Sequence, residues 1–166
     1  YAEVVQQNGR TALLAPSSRS QRTNKQVYSL TFKSESMESE TPYDILSVKV
    51  DYLDTLGGKL ILNYKYLDGD SYKTQSVSGP TLNGTGEWKT HMFVIDSFAG
   101  KPKPCLVATT GSLSNGHISF HANVGYDLYV SDVTIFDDKY KYSSNDNIGS
   151  VKNLSALKNS SGVNIT

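Results

Sequence analysis

The chain has one cysteine in 166 residues, no excess of charge of either sign and no long apolar run. Each shortage removes a class of protein. Cys105 by itself can form neither an intrachain disulfide nor a thiolate zinc cluster. Its setting in Cys105-Leu106-Val107-Ala108 is that of an inert apolar strand residue. Sixteen basic residues balance sixteen acidic ones, without a local Lys/Arg stripe, so nothing draws the chain to nucleic acid or an anionic surface. No apolar stretch approaches the ~20 residues of a helical membrane span, and membrane insertion is not expected. Nucleophile elbow, Walker loop and dinucleotide fingerprint are all missing. His117 and His121 have the i, i+4 spacing of helical zinc ligands, but Ile118, Phe120 and Ala122 alternate with them. That is a strand pattern, and it sets the two rings ~13 Å apart. Glu35, Glu38 and Glu40 cluster in the polar stretch from Ser34 to Pro42. Paired-carboxylate glycosidases need a fixed separation on a rigid scaffold, which such a loop does not provide. The expectation is a chain without catalytic machinery.

Glycine (13) and tyrosine (11) are plentiful, with Asn, Ser and Thr, a balance that suits strands and turns. Period-2 alternation recurs between turn signals, which predicts an all-β, antiparallel β-sandwich. Ten strands are expected: Ala2 to Gln7, Thr11 to Ala15, Gln26 to Ser34, Ile45 to Leu53, Lys59 to Leu67, Tyr72 to Ser78, Trp88 to Ile95, Cys105 to Thr110, His117 to Asn123 and Asp127 to Phe136. Asn8-Gly9 supplies the positive φ angles of a tight hairpin. Tyr28, Leu30 and Phe32 form one apolar phase; Val48, Val50 and Tyr52 another; Leu60, Leu62, Tyr64 and Tyr66 a third. The short link Asp54-Thr55-Leu56-Gly57-Gly58 predicts that the strands on either side of it pair with each other, and Gly79 to Gly86 reads as a loop. The sandwich is expected over 1–142. Residues 143–166, dominated by Ser, Asn and Lys, read as a linker or C-terminal tail, or else as a short helix or strand packed on the sandwich. Starting at Tyr1 without methionine, the chain reads as a piece of a larger secreted protein.

Four features together resemble the galactose-binding-like jelly rolls that accompany polysaccharide-degrading enzymes. They are Val48-Lys49-Val50-Asp51-Tyr52-Leu53-Asp54 with Gly57-Gly58 and Leu60-Ile61-Leu62-Asn63-Tyr64; Thr85-Gly86-Glu87-Trp88-Lys89-Thr90 running into Phe93; the closing run from Tyr126 to Ile135; and Glu3 in the first strand. The resemblance implies a jelly roll whose first and last strands are neighbours. It also implies a structural Ca2+ near that seam, with Glu3 and Asp132 at the matching positions. Its functional implication is a non-catalytic, extracellular carbohydrate-binding module. Such a module would hold attached catalytic or cell-surface domains of the parent protein near a polysaccharide or oligosaccharide.

Sugar recognition needs aromatic rings to stack on a pyranose and polar groups to read its hydroxyls. Trp88, Tyr72 and Tyr126 lie near loop edges and are the candidate rings; packing in the sandwich is the alternative for each. Asp51, Asn63, Lys65, His91, Ser119 and His121 all fall opposite apolar neighbours. They would line one sheet face if their strands share a sheet, and a plain solvated face gives the same alternation. Two other readings stand beside sugar binding: a structural or adhesion domain of a multidomain extracellular protein, and a small jelly-roll lyase or hydrolase.

Overall fold

The computed structural model describes residues 3–15, 29–108, 116–122 and 127–137, and the backbone of 151–152 and 155–157. The strands are β1 (Glu3–Gln7), β2 (Arg10–Ala15), β3 (Leu30–Lys33), β4 (Ile45–Leu53), β5 (Leu56–Asp68), β6 (Ser71–Asn83), β7 (Trp88–Asp96), β8 (Pro104–Cys105), β9 (Ile118–His121), β10 (Leu128–Phe136), β11 (Val151–Lys152) and β12 (Ser155–Leu157). Among the described residues the helical content is two 3-10 turns, Glu35–Met37 and Ser97–Ala99. Among the described residues all strand pairings are antiparallel, in two six-stranded sheets. The first sheet runs β1-β2-β10-β4-β7 with β11 on β10; the second runs β12-β3-β9-β5-β6 with β8 on β5. The chain is an all-β sandwich.

The two sheets meet through the apolar phases of their strands. Leu13, Val48, Val50, Tyr52, Phe93, Ile95, Val130 and Val133 come from one side, and Leu30, Phe32, Leu60, Leu62, Tyr64, Ile118 and Phe120 from the other. Phe120 stands edge-on to Phe32 at 5.6 Å and lies 6.0 Å from Phe93 of the opposite sheet, so one ring ties both layers. Full burial of such a side chain stabilises by about 1.5–3 kcal/mol. At the open side of the sandwich β6 approaches β7 so closely that a Cβ on Gly79 would stand 2.6 Å from Phe93 Cζ and 2.7 Å from the Leu60 carbonyl oxygen. Only glycine fits there.

Several expectations change. The strands flanking Asp54 do not pair: β4 bonds to β10 and β7, whereas β5 bonds to β6, β9 and β8. Both carry strong apolar phases, and these face each other across the core instead of lying side by side. β6 continues through Gly79 and Pro80 to Asn83, where a loop was expected; an outer strand with register shifts tolerates a residue that cannot donate. The Asn8-Gly9 hairpin is as expected, with φ of 45° and 83°. β2 separates β1 from β10, so the first strand is not the neighbour of the strand that closes the sheet. The segment 143–166 contributes β11 to one sheet and β12 to the other. The Gln26 to Ser34 strand is described from Leu30; Tyr28 and Tyr126 lie outside the described residues.

Candidate functional site

A buried carboxylate organises one end of the sandwich. Asp54 Oδ1 accepts from the Asn83 amide at 2.7 Å, while Oδ2 accepts from the Thr85 hydroxyl at 2.6 Å, the Lys89 ammonium at 2.9 Å and the Thr85 amide at 3.3 Å. Its backbone exchanges further bonds with Glu87 and Gly86. Burial alone would raise this carboxyl, but the bonds from Thr85, Lys89 and Asn83 outweigh it and hold the group well below the usual carboxylate range. The β4–β5 and β6–β7 links are thereby tied to each other, and Trp88 leaves the second link in a fixed direction.

On the outer face of the first sheet, the β1–β2 turn closes over this knot. Asn8 Nδ2 donates to the Gly86 carbonyl at 2.7 Å. The Trp88 indole N–H donates to the carbonyls of Asn8 at 3.0 Å and Gln7 at 3.3 Å, so the half-buried ring is pinned by its edge. Arg10 lies over its face, the guanidinium carbon 5.2 Å from the ring centroid. Arg10 Nη1 also reaches Asp51 Oδ2 at 3.4 Å and Ser131 Oγ at 3.3 Å, and Thr90 Oγ1 donates to Asp51 Oδ1 at 2.6 Å. Arg10 keeps 46% of its side chain exposed, and an exposed cation–π contact contributes only about 0.5–1 kcal/mol. The cluster therefore holds a rigid aromatic face, a movable guanidinium with donors to spare and a carboxylate acceptor.

The outer face of the second sheet carries a different network. Asn63 accepts from Ser76 Oγ at 2.6 Å and donates to His121 Nδ1 at 2.7 Å and Ser119 Oγ at 3.3 Å. Lys65 is buried and donates to the Val107 carbonyl at 2.5 Å; burial pulls its ammonium down to about 8. Burial likewise lowers His121, which stays neutral at neutral pH. Tyr72 pairs with Leu67 at the far end of this face, and the two are 38% and 44% exposed.

The expected polar face is thus divided. Asn63, Lys65, Ser119 and His121 share the second sheet, while Asp51 sits on the first, opposite Thr90. His91 is a correction: it pairs with Val50 on the core side, 4.5 Å edge-on from Phe93, and burial lowers it. A histidine flanked by Thr90 and Met92 gives no phase of its own. Lys65 is not presented in a groove either, because a neighbouring carbonyl captures its ammonium. The register does not bring Glu3 and Asp132 together: they lie two strands apart and about three residues out of step, roughly 14 Å between Cα atoms. Among the described residues no three His, Cys, Asp or Glu side chains form a metal-binding group.

His117 has a structural role. Its Nδ1 accepts from the Ser34 amide at 3.1 Å and its Nε2 faces Glu38 Oε1 at 3.1 Å, so both nitrogens are engaged. The acidic loop is latched onto β9 by that ring. Arg10 and Ser76 carry no signal of their own in the sequence, and neither do the polar contacts of Thr90 and Ser131. Arg10 follows a legible turn, but its meeting with Asp51 and Trp88 depends on long-range register. No protein-family model matches the chain, and searches of curated proteins and of solved structures return no match.

Proposed function

We propose that this chain is a non-catalytic carbohydrate-binding module with a jelly-roll sandwich. It binds a polysaccharide or oligosaccharide on the outer face of the first sheet and keeps attached domains of an extracellular parent protein near that polymer. The observation that carries this reading is the Trp88 ring, pinned through its N–H by two backbone carbonyls and covered on its face by Arg10. A pre-positioned ring loses little entropy on stacking against a pyranose. Arg10 swings from ring to ligand and, with Asp51 and Thr90, offers donors and acceptors to adjacent hydroxyls. The benefit to the parent protein is effective concentration.

The test is a glycan and polysaccharide binding screen of the whole chain, followed on any hit by Trp88→Ala and Arg10→Ala with melting temperature as the fold control. Saturable binding weakened or lost in Trp88→Ala supports the reading. The structural or adhesion reading is favoured by Phe98, 76% exposed on a 3-10 turn whose Phe98 amide is capped by Asp96 at 2.9 Å. It gains if no glycan binds.

A further inference from the structure

We infer that the outer face of the second sheet is a second glycan contact, so that the module holds two neutral polysaccharide chains, one on each side. This rests on the sugar-binding reading of the Trp88 face but uses none of its residues.

The strand register brings the surface together. Along β6, Tyr72, Thr74, Ser76 and Ser78 point outward and are exposed, facing Leu67, Lys65, Asn63 and Ile61 of β5. The row is four hydroxyls long. At one end the Leu67–Tyr72 pair leaves an apolar step next to an aromatic ring, which suits the CH-rich face of a pyranose. Beneath its centre the buried Asn63 amide is held by three partners, and its N–H fixes Nδ1 of His121 as an acceptor. The imidazole proton therefore sits on Nε2, for which no partner exists among the described residues, and His121 is only part-buried. That N–H is an oriented donor beside a line of hydroxyls able to donate or accept.

The charge of the surface selects the ligand. No carboxylate belongs to this outward row, and Lys65 is already committed to the Val107 carbonyl. Hydroxyls, one imidazole N–H and one ring fit a neutral polymer better than a uronate or sulfate chain. The two candidate faces lie on opposite sheets, so one glycan chain cannot span both within a single module; two chains can.

The test uses the full chain and three soluble neutral polysaccharides, a β-glucan, a xylan and a galactomannan, in affinity gel electrophoresis and turbidity. Variants are Trp88→Ala, Tyr72→Ala, His121→Gln and the pair Trp88→Ala/Tyr72→Ala. The inference expects wild-type protein to cross-link at least one polymer. Each single variant should bind about tenfold more weakly without cross-linking, and the double variant should not bind. If Trp88→Ala alone abolishes all retention while Tyr72→Ala and His121→Gln match wild type, the second contact is wrong and the Trp88 site stands. Wild type retained by none of the polymers overturns both. A concentration-dependent dimer that Tyr72→Ala disrupts overturns it as well, by assigning the face to a second copy of the chain.

Discussion

Replacing Asp54 by asparagine changes almost nothing in shape and much in hydrogen bonding. Four donors converge on the carboxylate: three on Oδ2 and the Asn83 amide on Oδ1. An amide offers one acceptor oxygen. If that oxygen takes the three-donor side, the NH2 group faces the Asn83 N–H and one part-buried donor loses its partner; the opposite flip leaves more unpaired. Losing one bond to a charged group (~1.5–3 kcal/mol) and leaving a part-buried N–H unsatisfied (~1–3 kcal/mol) together cost about 3–5 kcal/mol. For a chain of this length that lowers Tm by roughly 6–20 °C. Lys89→Met should cost less than Asp54→Asn, because its ammonium reaches solvent and only one of the four bonds is lost. Urea unfolding followed by tryptophan fluorescence reads both variants directly, since Trp88 follows the tied link. A loss under about 1 kcal/mol in Asp54→Asn would refute the assignment of this carboxylate as the organiser of that end.

Further consequences concern acid and packing. Burial lowers all three histidines from their ordinary 6.5, so the unfolded chain takes up their protons first; stability is fully present above about pH 6.5 and falls as pH drops through that value toward the folded pKa values. Urea midpoints measured between pH 7.5 and 5 should decline, and a flat profile would contradict the neutral, buried rings. For His117 the proton would enter at Nδ1, against the Ser34 N–H and beside Lys33 and Lys65, with only Glu38 in favour; its NMR titration should lie below 6.5. Gly79→Ala should destabilise by about 1–3 kcal/mol, since Phe93 Cζ and the Leu60 carbonyl must give way. An unchanged melting curve would show that β6 and β7 have more room than the geometry allows. Phe120→Ala, which removes the ring shared by both layers, should cost about 3–5 kcal/mol in the same assay.

The apolar phases were legible because alternation is local: Val48, Val50, Leu60, Leu62, Ile118 and Phe120 all point to the core as their spacing requires. The Asn8-Gly9 turn was legible for the same reason. Sheet membership was not, because the choice between pairing β4 with β5 and stacking them across the core is decided by the partners of β4, strands β7 and β10, whose paired residues lie 35 to 89 positions further along the chain. Asp54 illustrates the difficulty. In sequence it is one acidic residue in a glycine-rich link, and only the return of Asn83, Thr85 and Lys89 makes it a hub. Trp88 and Asp51 were singled out separately, and the fold brings them to one face through Arg10. Asn63 and His121 also meet, joined by a hydrogen bond that alternation could not reveal. His91 failed as a candidate because a polar side chain in the inward phase looks, in sequence, like one facing out.

Trp88, with Arg10 as its movable cover, is the sugar-stacking site proposed above. Titration of glycans into the whole chain while following Trp88 emission, the signal of the sole tryptophan, tests it most directly. A saturable spectral change is expected with at least one glycan, absent with matched non-sugar polyols and weakened in Arg10→Ala. Saturable glycan binding that leaves Trp88 emission unchanged and survives Trp88→Ala would contradict it.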